Sequence, residues 1–280
     1  MEWLNQLHTA AAHGMASEVA AILGKTDDVD AISDGRTALW RAVFARKHEN
    51  ADLLLAAGAD PTRPMMSGWS PARLSLATDH PITTDEVLTP TEQAAIVERD
   101  RLVAALGRYP ETGGFSIACV GGIDSDEAVR RLEAEVVAAE EVPDLTDWWD
   151  EPFGDDTEVA IGFTDVPGGC VVVQPWGRAA SLPAVTRPLS TDTVVHALYD
   201  NPKSGSQGSV DRDGTTVDRD LVPGGWSAAG STAEVFLAHL YAGRPVAYCC
   251  AFVALRPENA EAFTKPARWA ILPDRIRWDL

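Results

Sequence analysis

Two hydrophobic periods divide the chain. Through residue 106 apolar positions recur at helical spacing, and from Phe115 onward short apolar runs alternate with turn formers. The clearest helical stretch is residues 34–61, D-G-R-T-A-L-W-R-A-V-F-A-R-K-H-E-N-A-D-L-L-L-A-A-G-A-D-P. Asp34-Gly35 is a turn signal, Thr37 an N-cap, and Leu39, Ala42 and Val43 one stripe of a short helix. A second helix buries Ala51, Leu53, Leu54 and Leu55, and Gly58 supplies the left-handed residue that ends it. A helix pair of this size cannot hide its apolar face alone, so neighbours are predicted on both sides.

The sequence contains them. Leu7-His8-Thr9-Ala10-Ala11 opens an earlier unit, with His13-Gly14 as its inner turn, and S-G-W-S-P-A-R-L-S-L-A opens a later one at residues 67–77. Leu7 and Leu39 are 32 positions apart, and Leu39 and Ala72 are 33 apart. Residues 79–89, D-H-P-I-T-T-D-E-V-L-T, interrupt the third unit as a turn-rich insertion, and its second helix is predicted at 90–106. Thr89 or Thr91 caps that helix, Pro90 and Glu92 suit its first turn, and Ile96, Val97, Leu102, Val103 and Leu106 form its stripe.

These units resemble ankyrin repeats. The resemblance implies an all-α array of two and a half to three repeats over residues 1–109, followed by a second domain at 110–280. A stack so short is predicted to need a cap from the rest of the chain. Two positions depart from the pattern: Trp40 and Arg73 stand where a loop-bracing His is common. Ankyrin arrays meet partner proteins with their hairpin tips and inner helices. The implied contact residues are Ser33, Arg36, Met66 and Trp69, with His13, Phe44 and Ala45 at the ends of the first helices. Trp69, an aromatic at a solvent-facing tip, either anchors an interface or folds against the 79–89 insertion.

The second half reads as an α+β domain with a mainly antiparallel sheet. F-S-I-A-C-V is a strand from Phe115, Gly121-Gly122 turns it, and D-S-D-E-A-V-R-R-L-E-A is a helix. Strands are predicted at 157–164 and 170–174, joined by the D-V-P-G-G hairpin. Two more are predicted at 193–199 and 215–220, with a Gly/Ser-rich turn region between them. Residues 231–241 form a helix, and V-A-Y-C-C-A-F-V-A-L at 246–255 fits a buried helix or a strand, with helix favoured. The run C-V-G-G-I-D-S-D-E-A-V-R-R-L and the Gly-Gly strand ending near Trp176-Gly177 resemble an uncharacterised α+β family of bacterial proteins, a likeness that supplies an architecture and no catalytic residues.

Charge narrows the partners. The formal net charge is −19, and residues 124–158 hold 14 acidic side chains against Arg130 and Arg131. Nucleic acid is not expected, because no Lys/Arg cluster is present to bind a phosphate backbone. A protein partner, attracted all the more if basic, fits better. Within the acidic run, Asp147, Trp148, Trp149 and Asp150 are either a docking segment or a loop pinned by its aromatics. No stretch reaches the roughly 18 apolar residues of a membrane span, and M-E-W-L-N-Q-L-H lacks a signal pattern, so a cytoplasmic location is expected.

Candidate chemistry is sparse. Gly24-Lys25-Thr26 imitates the end of a phosphate loop, but Val19 stands where that loop needs Gly. D-R-D-G-T-T-V-D-R-D at 211–220 imitates a calcium loop with Gly in the wrong place and no closing Glu. Gly205-Ser206-Gln207-Gly208 lacks nucleophile-elbow spacing. Neither metal nor cofactor is implied. The expected function is non-catalytic protein binding, of an adaptor or inhibitor kind. The alternative is an enzyme or small-ligand sensor, with Cys119, Cys170, Cys249, Cys250, His196 and His239 as its raw material.

Overall fold

The computed structural model describes residues 2–109, 114–142, 160–203, 205–225, 230–273 and 276. They form an α+β fold in two compact units: Met1–Glu98 with Gly224–Gly243, and Arg99–Pro223 with Arg244–Leu280. Among the described residues no helix is long and apolar enough to cross a membrane.

In the first unit, α1 (Glu2–His13) and α2 (Ala16–Leu23) form one helix pair, and α3 (Ala38–Phe44) and α4 (His48–Ala56) the next. α5 (Pro71–Ser75) and α6 (Pro90–Leu106) follow, tied by the Arg73–Glu92 ion pair, the part of α6 through Glu98 belonging to this unit. α3 packs between α1 and α5, and α2 packs on α4. The caps are those the side chains dictate. Thr37 accepts from the Trp40 amide, and Ser70 accepts from the Arg73 amide ahead of Pro71. At α6, Thr89 and Glu92 exchange backbone-to-side-chain bonds, so Thr89 is the cap. Val97 departs from the expected stripe and lies exposed.

The turn before α3 is a two-residue hairpin: Ser33 and Arg36 exchange backbone bonds across Asp34 (φ 50°) and Gly35 (φ 72°). Two successive positive φ values define the tight turn for which Asp-Gly is the preferred pair. The interrupting residues 79–89 are tied to both ends of α5, with its N-cap Ser70 donating to Glu86 and its last residue Ser75 accepting from the Ile82 amide.

The second unit is built on one antiparallel sheet of eight strands. They are β1 (Phe115–Gly121), β2 (Glu135–Val137), β3 (Ala160–Val166), β4 (Gly169–Gln174), β5 (Val194–Asn201), β6 (Gly205–Arg212), β7 (Thr215–Leu221) and β8 (Arg268–Ile271), in the order β2-β8-β3-β4-β1-β5-β6-β7. α7 (Ser125–Leu132) follows β1, and α8 (Pro183–Leu189) precedes β5. Their apolar residues close a core with Ala118, Val120, Phe163, Val172 and Val195. β1 is central and buried along its whole length, as its unbroken apolar run requires. Pro167 and Gly168 turn the β3–β4 hairpin, and Gly169 opens β4 at φ 155°, where a Cβ would stand 2.0 Å from the Val120 carbonyl oxygen.

Two expectations are corrected. The Gly/Ser-rich stretch read as a turn is β6, paired along its length with β5. Composition argues against a strand there, but Gly208 lies where a Cβ would meet the Pro223 ring at 2.8 Å, so close approach selects the small residue. The second concerns grouping. After β7 the chain leaves the sheet unit and forms α9 (Thr232–Leu240) in the first unit. It then returns to the sheet unit as α10 (Pro245–Phe252) and α11 (Glu261–Thr264). A single division at 109 does not describe this path. Residues 245–252 are helical, which resolves the ambiguity of the apolar run at 246–255.

Candidate functional site

The first unit is held together at its hairpin tips by side chains that reach from one helix pair to the next. His8 Nε2 lies 3.1 Å from the Arg36 carbonyl oxygen. One unit later, Trp40 Nε1 donates to the Trp69 carbonyl at 3.2 Å. Trp40 stands where His8 does in the preceding unit, so the indole N–H supplies the brace an imidazole supplies before it. In the third unit Arg73 takes a different role. It pairs with both Glu92 oxygens at 2.8 and 3.0 Å, and its guanidinium carbon lies 4.5 Å from the Trp69 ring centroid.

These braces place the expected contact residues inside. Trp69 is 0% exposed and Arg36 1%; Phe44 and Met66 are also buried, Ser33 and Ala45 half-buried, and His13 exposed. The reading of Trp69 as a solvent-facing tip is thus corrected, and its cover is α9 rather than the 79–89 insertion. Phe236 stacks on the indole at 4.6 Å and 9° between planes, and Trp69 Nε1 donates to the Thr232 carbonyl at 2.8 Å. Phe44 stacks on Trp40 and meets the His239 ring at 5.4 Å, and His239 Nε2 lies 3.0 Å from the Leu74 carbonyl. Phe236 and His239 are three apart on α9 and share one face.

Both ends of α9 are also gripped. Ser67 donates to the Gly230 carbonyl and accepts, at its own carbonyl, the Thr232 hydroxyl proton. At the other end Arg46 donates to the carbonyls of His239 and Leu240 at 3.2 and 3.1 Å, where a cation complements the helix dipole. Arg46 holds φ 56°, a left-handed conformation that costs a non-glycine residue about 1 kcal/mol. Arg36 folds back on its own hairpin, donating to the Asp34 carbonyl. Burial, then Arg41, lowers its pKa to about 10 against the opposing pull of Asp34, which leaves it cationic at neutral pH.

No protein-family model matches the chain, and no curated protein matches it. The site is therefore read from its own geometry. Exposed His13 lines an open groove of about 840 Å³ between α1 and α2, with Thr9, Ala10, Glu18, Ala21 and Ile22. Asp147, Trp148, Trp149 and Asp150 lie outside the described residues.

In the sheet unit, β1 and β5 place Cys119 opposite His196, and α10 packs on β5 and brings Cys249 and Cys250 to them. Cys249 Sγ is 3.3 Å from His196 Nδ1, and Cys119 Sγ is 3.7 Å from Cys250 Sγ. All four side chains are completely buried. Burial drives the Cys249 thiol well above its ordinary pKa and lowers that of His196 to about 4. An activated Cys–His pair needs a thiolate beside an imidazolium, and these shifts favour the opposite, neutral forms. His196 Nδ1 also lies 3.2 Å from the Ala197 carbonyl, and its ring meets Tyr248 and Phe252 edge-on. The geometry is that of a packed core. Cys170 is likewise buried, its pKa raised to about 12. Among the described residues no three His, Cys, Asp or Glu side chains are arranged to hold a metal.

Proposed function

We propose that this chain is a non-catalytic protein-binding protein, of an adaptor or inhibitor kind, whose helical unit is an ankyrin-type array. The observation that carries the reading is the repeated brace, His8 to the Arg36 carbonyl and Trp40 to the Trp69 carbonyl. The two bonds tie each helix pair to the tip that follows it in the same way, and a repeated scaffold of this kind suits recognition more than catalysis. The open groove beside His13, between α1 and α2, is the accessible surface this reading assigns to the partner. The net charge of −19 favours a basic partner by long-range attraction, and the partner is met in the cytoplasm.

The test uses residues whose replacement spares the core. Thr9→Arg with Ala21→Arg sets two large cations into the groove, both at exposed positions. Affinity capture with wild type, followed by direct titration of the recovered protein, should show binding to the double variant weakened about tenfold or more. Equal affinity of every captured protein for wild type and variant overturns the assignment of this groove.

A further inference from the structure

We infer that the groove between α1 and α2 receives a helix of the partner whose last turn carries an arginine or lysine over Glu18. The inference rests on the reading of that groove as the partner's surface, and the chain shows what such a seat holds one helix pair later. α2 and α4 begin 32 positions apart, at Ala16 and His48, the same step that separates Leu7 from Leu39. The groove residues Ala10, Glu18 and Ile22 therefore correspond to Ala42, Asn50 and Leu54. Those three are buried, because α1 packs on α3 and α2 on α4. What this face of a pair accepts is a helix.

At Asn50 the internal joint is polar. Its side-chain amide donates to the carbonyls of Ala10, Ala11 and Gly14 at 3.2, 3.1 and 3.2 Å, the open acceptors where α1 ends. Glu18 takes that position in the first pair, and it is exposed where Asn50 is 2% exposed. A carboxylate accepts and cannot donate. A helix laid on the first pair as α1 lies on the second would bring bare C-terminal carbonyls against a negative charge, so a plain copy of the internal joint is disfavoured. A cation in the last turn of the incoming helix reverses the sign: it offsets that helix's own open carbonyls and pairs with Glu18. Gly14 belongs to the arrangement, since a Cβ there would stand 2.5 Å from Glu18 Oε2 and displace the carboxylate. The net charge of −19 draws such a helix in from a distance.

The probe is a pair of blocked, alanine-based helical peptides with a leucine stripe, alike except in the last turn, where one carries arginine and the other citrulline, its neutral isostere. Titrated into the full chain at low salt, the arginine peptide should bind about threefold tighter, the size of an exposed ion pair. The preference should vanish in Glu18→Gln. That substitution keeps a side-chain oxygen to accept the Met15 amide, so the start of α2 stays capped. Equal binding of the two peptides to wild type overturns the inference, as does a preference that survives Glu18→Gln. No measurable binding of either peptide at millimolar concentration overturns it too. A protein partner that Thr9→Arg with Ala21→Arg weakens and Glu18→Gln leaves untouched would remove this inference and leave the recognition reading standing.

Discussion

The buried ring nitrogens at the joints of the helical unit and the buried His196 of the sheet unit are held in opposite ways. In the helical unit the buried Trp40, Trp69 and His239 each reach a backbone carbonyl of a different segment, so polarity joins elements. In the sheet unit His196 reaches the carbonyl of its own neighbour Ala197 and a thiol, and its Nε2 has no hydrogen-bond partner. A group that bridges segments specifies how they dock, and replacing it breaks a joint. A group enclosed by apolar rings specifies little, and an apolar residue of its shape serves as well.

The sharpest way to break the first kind of joint is Trp69→Ala, which removes the Phe236 stack, the bond to Thr232 and a large buried volume. It should cost about 3 to 5 kcal/mol, read as a lower urea midpoint. Acid separates the units next. Burial holds folded His196 near pKa 4, against an ordinary value of 6.5, so the neutral form is the one the fold accepts. The unfolded chain then binds the extra proton between these values. The associated stability is complete above pH 6.5, declines as pH falls, and levels off below about 4, a loss of about 3 kcal/mol. Denaturation midpoints measured across that window should flatten in His196→Phe. Trp40→Phe is the matching change in the helical unit, and it should cost about 1 kcal/mol at neutral pH by removing the indole bond to the Trp69 carbonyl, which keeps only the Met65 amide. If both Phe substitutions shift the neutral-pH midpoint equally, the contrast between the units fails.

Much of the helical unit was legible because its signals are local. Asp34-Gly35, Thr37 and the Thr89-or-Thr91 pair announce turns and caps through their own side chains, and the 32- and 33-residue steps place the helix pairs. The helix at 231–241 was equally legible as a helix. Its destination was not, because an apolar helix declares that it must be covered without naming what covers it. For that reason Trp69 was read as a tip residue. β6 escaped because Gly205, Ser206, Gly208 and Ser209 carry turn chemistry, and neighbours on both sides overrode it. In the candidate site, His13 was named from position alone. The brace by Trp40 could have been found by asking which side chain at that position still offers a ring N–H.

The late position of α9 has a consequence for biosynthesis. Elongating from Trp69 to the end of that helix takes on the order of 10 to 30 s at ordinary translation rates. The indole therefore leaves the ribosome ahead of its cover by that interval. A nascent chain of this design exposes an aromatic surface that is covered only once residue 240 has cleared the ribosomal tunnel.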